Sequence, residues 1–142
     1  MVSDPKKPII YNDKINTFKG FMHTAVKKYS EYQKPVREAV GLFLAYIDDI
    51  LCSNNKSSYE YILKWYSNIA KGNKNDSLLY LRGAEGIGKS TVTDFMCKHV
   101  FGLKICTNNS KNVEALTSAY NKILSGKLLV VFEKGDPVCV VH

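Results

Sequence analysis

Residues 83–90 of this 142-residue chain read Gly-Ala-Glu-Gly-Ile-Gly-Lys-Ser, a complete G-x-x-x-x-G-K-[ST] pattern. Glycines at these spacings let the backbone curve into a concave loop whose N–H groups point at one anion. The N-terminus of a helix that follows such a loop adds a favourable dipole. Lys89 is placed to reach the β- and γ-phosphates of a nucleotide, and Ser90 is placed to ligate Mg²⁺ through its hydroxyl. The pattern therefore predicts a loop that binds a nucleoside triphosphate with Mg²⁺.

The segments on either side of this loop are those that the motif requires. Residues 78–81 are a short apolar run, typical of a buried strand. Apolar residues recur at helical spacing over residues 89–101, and Gly102 provides a C-terminal stop. Strand, glycine-rich loop and helix in this order favour a phosphate-binding loop over the alternative, a glycine-rich turn between two core elements.

A second feature is the apolar run at residues 128–132, which is followed by Glu133. A continuous apolar run is expected for a parallel strand that is buried on both faces. An acid at the carboxyl end of such a strand points into the crevice where ligands of α/β proteins bind. We therefore predict that Glu133 holds Mg²⁺ through water or polarises the attacking water, and that it acts together with Lys89 in catalysis.

Two amphipathic helices are expected before the nucleotide-binding segment. The first begins at Pro35 and carries apolar residues at steps of three and four as far as residue 51. The second opens on a Ser57-x-x-Glu60 capping box and ends before Gly72.

After the loop and its helix, the pattern predicts a strand at residues 103–106 and a helix at residues 112–124. Strands that alternate with helices predict an α/β fold with a parallel sheet. The chain then divides into an irregular or partly helical arm (1–34), a helical subdomain (35–76), a nucleotide-binding core (77–133) and a tail (134–142).

The charge balance is basic, with a formal net charge of +7. This is compatible with a nucleic-acid partner and equally with a solubilising lysine-rich surface. Within residues 15–34, aromatic side chains are interleaved with lysines; they either bind single strands or pack into their own domain. No apolar run approaches the ~20 residues of a membrane span. The first residues lack the apolar segment of a secretory signal, so we expect an intracellular protein.

The four cysteines form no C-x-x-C pair. Reduced, buried thiols are therefore expected. The alternative is a metal site shared by Cys97, His99 and Cys106, although their spacing fits no structural zinc pattern.

Together these segments resemble the superfamily 3 helicases, especially the helicase part of primase-helicases from large DNA viruses, phages and related mobile elements. The resemblance is carried by residues 61–65 (Tyr-Ile-Leu-Lys-Trp), by the strand and loop at residues 78–91, and by residues 128–133. It covers roughly residues 36–133. It implies a P-loop NTPase-type, AAA+-like parallel sheet flanked by helices.

The resemblance also implies a function. Members of this family translocate along single-stranded DNA during replication, as rings of six subunits driven by ATP. The cofactors would be ATP and Mg²⁺, and the location would be the cytoplasm or a viral replication site. Nucleotide binding falls on Gly83, Ala84, Glu85, Gly86, Ile87, Gly88, Lys89, Ser90 and Thr91, and metal binding on Ser90 and Glu133.

The chain departs from the family at Glu133. The second motif of the family usually carries two adjacent acids, whereas Glu133 is flanked by Phe132 and Lys134. The third motif, a strand ending in a polar sensor, and the arginine finger are not found in the nine residues that follow Glu133. We therefore expect a truncated or frame-shifted copy that binds ATP with negligible hydrolysis. The alternatives are a nucleotide-binding remnant and a single-strand-binding module, both without turnover.

The missing motif has a structural consequence. In the related fold its strand lies between the P-loop strand and the strand that ends in Glu133, so its loss leaves a gap in the sheet. We expect residues 128–132 to form an exposed edge, because residues 134–137 are too few for a crossover to a parallel strand. The alternative is that residues 138–141 return as an antiparallel hairpin and cover this edge.

Overall fold

The computed structural model describes residues 4–16, 18, 20–21, 27–73, 75–108, 126–133 and 138–141, with the backbone alone for residues 108, 133 and 138–141. The strands in these ranges are β1 (Ile10–Tyr11), β2 (Lys14–Ile15), β3 (Leu79–Leu81), β4 (Cys106–Asn108), β5 (Leu129–Glu133) and β6 (Val138–Val141). The helices are a short 3₁₀ turn (Tyr29–Glu31), α1 (Lys34–Cys52), α2 (Lys56–Ala70), α3 (Lys89–Phe95) and a π-helical segment (Met96–Phe101) that continues α3. The predicted helix at residues 112–124 lies outside the described ranges.

The helical pair α1 and α2 forms where the periodicity predicts it. Pro35 lies in the first turn of α1, where its missing N–H has no helical partner to lose. The predicted capping box at Ser57 is wrong, because α2 begins earlier. Asn55 is the N-cap residue, and its side-chain oxygen accepts a hydrogen bond of 2.9 Å from the Ser58 N–H. This bond satisfies one of the free N–H groups of the first turn.

The core forms where α2 meets the helical segment that follows the glycine-rich loop. Trp65 and Ile69 of α2 are 2% and 0% exposed, and Tyr66 stacks on the ring of Phe101. Full burial of such a side chain contributes about 1.5–3 kcal/mol. The indole Nε1 of Trp65 also donates a 3.0 Å hydrogen bond to the carbonyl of Ser77. This bond anchors the chain two residues before β3, so the helical core positions the strand that leads into residues 83–90.

The described main sheet has the order β3-β6-β5-β4. β4 and β5 are parallel, whereas β6 is antiparallel to both of its neighbours, β5 and β3. In this register Val138 pairs with Leu81 on one side and with Glu133 on the other. β3 and β5 therefore run in the same direction, and their carboxyl ends are level at one edge of the sheet.

The expectation of an exposed edge at residues 128–132 is wrong. β6 pairs with β5 from Val130 to Glu133 and separates it from β3. The hairpin alternative is what the structure contains. An antiparallel return needs only a short connection, and it supplies hydrogen-bond partners to two strands at once. β5 itself is buried on both faces, with Leu129, Val130, Val131 and Phe132 at most 5% exposed.

The predicted strand at residues 103–106 is displaced toward the C-terminus. Gly102 has a φ of 96°, and the N–H groups of Ile105 and Cys106 both bond to its carbonyl, at 3.2 Å each. Residues 103–105 are consequently a turn, and Leu103 is 62% exposed. The strand begins only at Cys106, where pairing with Leu129 of β5 becomes available.

We predict that removal of residues 134–142 destabilises the protein. The deletion takes away β6 and leaves facing backbone groups of β3 and β5 without partners. With each lost hydrogen bond worth about 0.5–1.5 kcal/mol, the free energy of unfolding should fall by more than ~3 kcal/mol and Tm by roughly 10 °C. Thermal unfolding followed by circular dichroism measures the change. Removal of His142 alone, beyond the end of β6, is the control. Equal melting temperatures for the two shortened chains would contradict an integral role for β6.

Candidate phosphate-binding site

The predicted phosphate loop connects β3 to α3. Leu79 and Leu81 anchor the strand in the core at 5% and 7% exposure, and Val92 and Thr93 anchor the helix at 0% and 1%. The segment between Leu81 and Lys89 is irregular and its middle part is exposed. A flexible glycine-rich segment is thus held between two rigid elements, which is the arrangement that the motif requires.

Two glycines in the loop have backbone conformations that other residues rarely adopt. Gly86 has a φ of 80° and Gly88 a φ of 100°. Around Gly86 there is open space, whereas a Cβ atom on Gly88 would overlap the hydroxyl oxygen of Tyr46 in α1. Gly88 is therefore required both by its dihedral angle and by the close approach of α1 to the loop.

Lys89, the first residue of α3, is 93% buried, since only 7% of its surface is exposed. Its ammonium group donates hydrogen bonds of 2.7 Å to the carbonyl oxygens of Gly83 and Ala84. The charge is thus held over the first residues of the loop by carbonyl dipoles. A phosphate group that enters the loop would offer the Lys89 ammonium a full negative charge in place of these two carbonyl dipoles.

Ser90 and Thr91 are exposed in the first turn of α3. The carbonyl of Ser90 accepts a 3.0 Å hydrogen bond from the Thr93 hydroxyl. Glu85 and Ile87 are exposed as well. Of the predicted loop residues, Lys89 is therefore buried, whereas Glu85, Ile87, Ser90 and Thr91 are exposed.

Glu133, the other predicted site residue, ends β5. Because Val138 pairs with both Glu133 and Leu81, the two residues are level on opposite sides of β6. Neighbouring strands are ~4.8 Å apart, so their backbones are about 10 Å apart across the sheet. The backbone at Glu133 thus lies at the same edge of the sheet as the start of the loop.

Tyr46 is a residue of this site that sequence reasoning missed. Its hydroxyl lies against Gly88, and Phe43, one turn earlier on α1, packs on Phe95 of α3 at a ring distance of 4.2 Å. The signal for it was the position of Tyr46 between Phe43 and Ile50 on the apolar face of α1. Spacing alone could not show that this face meets the phosphate loop.

Cys97, His99 and Cys106, which were the candidates for a metal site, pack against neighbouring side chains. Cys52, Cys97 and Cys106 are buried thiols, as predicted, and the side chain of Cys139 lies outside the described residues. A hydrogen bond with Cys97, followed by burial, raises the pKa of the Cys106 thiol, so it stays protonated. His99 instead packs on Phe95. Among the described residues, no group of three or more His, Cys, Asp or Glu side chains could hold a metal ion.

Of the aromatic residues of the arm that the structure describes, Phe18 and Phe21 pack against the core, whereas Tyr29 is 56% exposed. Phe18 and Phe21 form an edge-to-face pair at 5.4 Å, and Phe21 contacts the buried ring of Phe101. For Phe18 and Phe21 this favours packing into the domain over stacking on a nucleic-acid strand.

Comparison of the chain with protein-family models, with curated proteins and with solved structures finds no significant match. In the described part of the chain, no helix combines the length and the apolar character that crossing a membrane requires.

We predict that Gly88→Ala destabilises the protein more than Gly86→Ala. Both changes place a Cβ on a residue with positive φ, which costs about 1–2 kcal/mol. Only the change at Gly88 also forces α1 away from the loop, adding about 1–3 kcal/mol of overpacking. Urea unfolding at equilibrium measures both variants.

A double substitution isolates the contact with α1. Tyr46→Phe removes the hydroxyl oxygen and leaves the ring Cζ at 3.1 Å from the new Cβ, so it should recover part of the stability lost by Gly88→Ala. The same substitution should not rescue Gly86→Ala. Equal losses for Gly86→Ala and Gly88→Ala, with no rescue, would show that Tyr46 does not constrain the loop.

Proposed function

We propose that this chain binds ATP with Mg²⁺ through residues 83–90, as the nucleotide-binding part of a replicative DNA helicase similar to the superfamily 3 helicases. The observation that carries the proposal is the conformation of the loop. Gly86 and Gly88 have positive φ, and the Lys89 ammonium lies over the carbonyls of Gly83 and Ala84. Such a loop, which leads into a helix N-terminus, is suited to receive phosphate groups.

The position of Glu133 supports the same proposal. An acid beside a phosphate loop can hold Mg²⁺ through water, provided that it lies at the carboxyl edge of the sheet. β5 ends at this edge, level with the end of β3. The strand β6 lies between them, which is the place that the third-motif strand occupies in the resembled family.

The direction of β6 favours a nucleotide-binding protein without turnover as the second candidate function. Because β6 is antiparallel to β5, its first residue, Val138, lies at the edge of the sheet where β5 ends and the loop begins. A parallel strand would instead place its last residues there, and a polar sensor with them. Lys134 also stands where a second acid would follow Glu133. Binding of single-stranded DNA and assembly into a ring of six subunits are proposed for an intact member of the resembled family and not for this chain alone.

We expect Lys89→Ala to weaken ATP binding by about ten- to hundredfold. The substitution removes charge-assisted hydrogen bonds worth about 1.5–3 kcal/mol. Isothermal titration calorimetry with ATP and Mg²⁺ measures the affinity. Lys71→Ala, an exposed lysine just after α2, is the matched control. Circular dichroism establishes that both variants are folded. Equal ATP affinity for the wild-type chain and folded Lys89→Ala would refute the proposal.

We expect the purified chain to show negligible steady-state ATP hydrolysis even when ATP is bound. The sequence after Glu133 shows no match to the arginine finger of the resembled family, a group whose contribution to rate is ~10³–10⁵. Release of inorganic phosphate at saturating ATP measures the activity. Robust turnover that disappears in Glu133→Gln would show a complete catalytic site and would contradict this expectation.

A further inference from the structure

A cavity of about 480 Å³ lies at the end of the α3 helical segment that is remote from the phosphate loop. It is lined by Gly20 and Phe21 of the arm, by Lys98 and Phe101 of the π-helical segment, and by residues 102–104 of the turn that follows. α3 and the π-helical segment together span residues 89–101. At ~1.5 Å per residue, the cavity is roughly 20 Å from the loop. A molecule in this cavity would therefore not touch the phosphate loop.

The lining of the cavity combines an apolar floor with a basic rim. Phe21 is partly exposed and is backed by the buried ring of Phe101, and Leu103 is a large apolar side chain that is 62% exposed. Lys98 and Lys104 supply positive charge beside it, and none of the described lining residues is acidic. This combination is complementary to a molecule that has an apolar body and one anionic group.

The basic rim is partly held in place by neighbouring groups. Lys98 forms a 2.8 Å ion pair with Asp94, one turn earlier on the same helical segment. The pair orients the Lys98 ammonium, and the Lys98 side chain remains half-exposed. Lys104 is exposed on the turn. Lys127 donates hydrogen bonds of 3.2 and 3.0 Å to the carbonyls of Leu103 and Lys104, which fixes this turn from behind. The two rim lysines are thus carried by ordered backbone.

The shape of the cavity depends on an unusual helical geometry. The N–H of Gly102 bonds to the carbonyl of Cys97 at 3.0 Å, an i→i+5 bond, and Gly102 then leaves the helix with a φ of 96°. π-Helical turns are rare and are frequently found at functional sites. Here the π-helical segment and the turn that follows it form two walls of the cavity, so the cavity is part of the folded structure.

We propose that this cavity binds a small amphiphilic anion. A flat or acyl apolar body contacts Phe21 and Leu103, and a carboxylate, sulfonate or phosphate group lies between the ammonium groups of Lys98 and Lys104. The volume matches a single small ligand, since such sites span ~300–1,000 Å³. A nucleic-acid strand would need an extended groove rather than a cavity of this size.

The test compares naphthoate with its neutral counterpart naphthalenemethanol, using the full chain. Each compound is titrated while NMR follows the backbone N–H signals of Gly20 and Gly102. We expect saturable shifts of both signals with naphthoate and weaker binding of the alcohol. Lys98→Gln combined with Lys104→Gln should weaken naphthoate binding by about three- to twentyfold, because two exposed ion pairs are lost. The affinity for naphthalenemethanol should not change.

Two further variants separate charge from apolar contact. Lys56→Gln combined with Lys71→Gln removes the same net charge from α2 and the residue after it, away from the cavity, and should leave naphthoate binding unchanged. Leu103→Ala should weaken the binding of naphthoate and of naphthalenemethanol by a similar factor, since it alters the apolar floor and not the lysine rim.

Three results would overturn the proposal. One is an equal loss of naphthoate affinity in the two double-lysine variants, which would indicate a general charge effect. Another is the absence of saturable shifts at Gly20 and Gly102. The third is an oligothymidylate that shifts the same two signals at lower concentration than naphthoate, which would assign the cavity to a nucleic-acid strand.

Discussion

The pairing of β6 with two other strands is the interaction on which the candidate site depends. β3 leads into the phosphate loop and β5 ends in Glu133, and the two strands do not touch each other. The hydrogen bonds that β6 makes on both of its sides keep their carboxyl ends level. Backbone groups inside a sheet need partners at a fixed spacing, so the central strand sets the distance between the loop and the acid.

The loop itself is constrained from the opposite side by the helices. α2 holds the approach to β3 through the bond from Trp65 to the Ser77 carbonyl, and α1 places Tyr46 against Gly88. The Lys89 ammonium then links the beginning of the loop to the beginning of α3 through the Gly83 and Ala84 carbonyls. A glycine-rich segment that is flexible by composition is in this way held in one conformation by three contacts of different kinds.

The helical segment after the loop joins two regions of different chemistry. Its first turn belongs to the phosphate loop, and its last turns are π-helical and border a cavity with an apolar floor and a lysine rim. On the inner face of the same segment, Val92, Cys97 and Phe101 are buried in the common core. A rigid, buried middle part means that each end of the segment is positioned by the same packing, although about 20 Å separates them.

Local sequence was sufficient to predict the elements that carry the site. The motif at residues 83–90 and the segments beside it predicted β3, the loop and α3, hydrophobic periodicity predicted α1 and α2, and a continuous apolar run predicted β5. Each of these features depends on residues a few positions apart: glycines at positive φ, apolar side chains on one helix face, or a continuous apolar strand. The predicted positions of Lys89, Ser90 and Glu133 within these elements follow from the same local rules.

Tertiary structure decided the features that depend on distant partners. β6 lies between β3 and β5 because that place offers unpaired backbone groups on both sides, which no pattern within residues 138–141 records. Residues 103–105 form a turn because pairing with β5 begins only at Cys106. The approach of Tyr46 to Gly88 likewise requires two segments that are far apart along the chain. Local sequence determined α1, α2, β3, β5 and the glycine-rich loop, whereas long-range hydrogen bonding and packing decided the direction and neighbours of the strands.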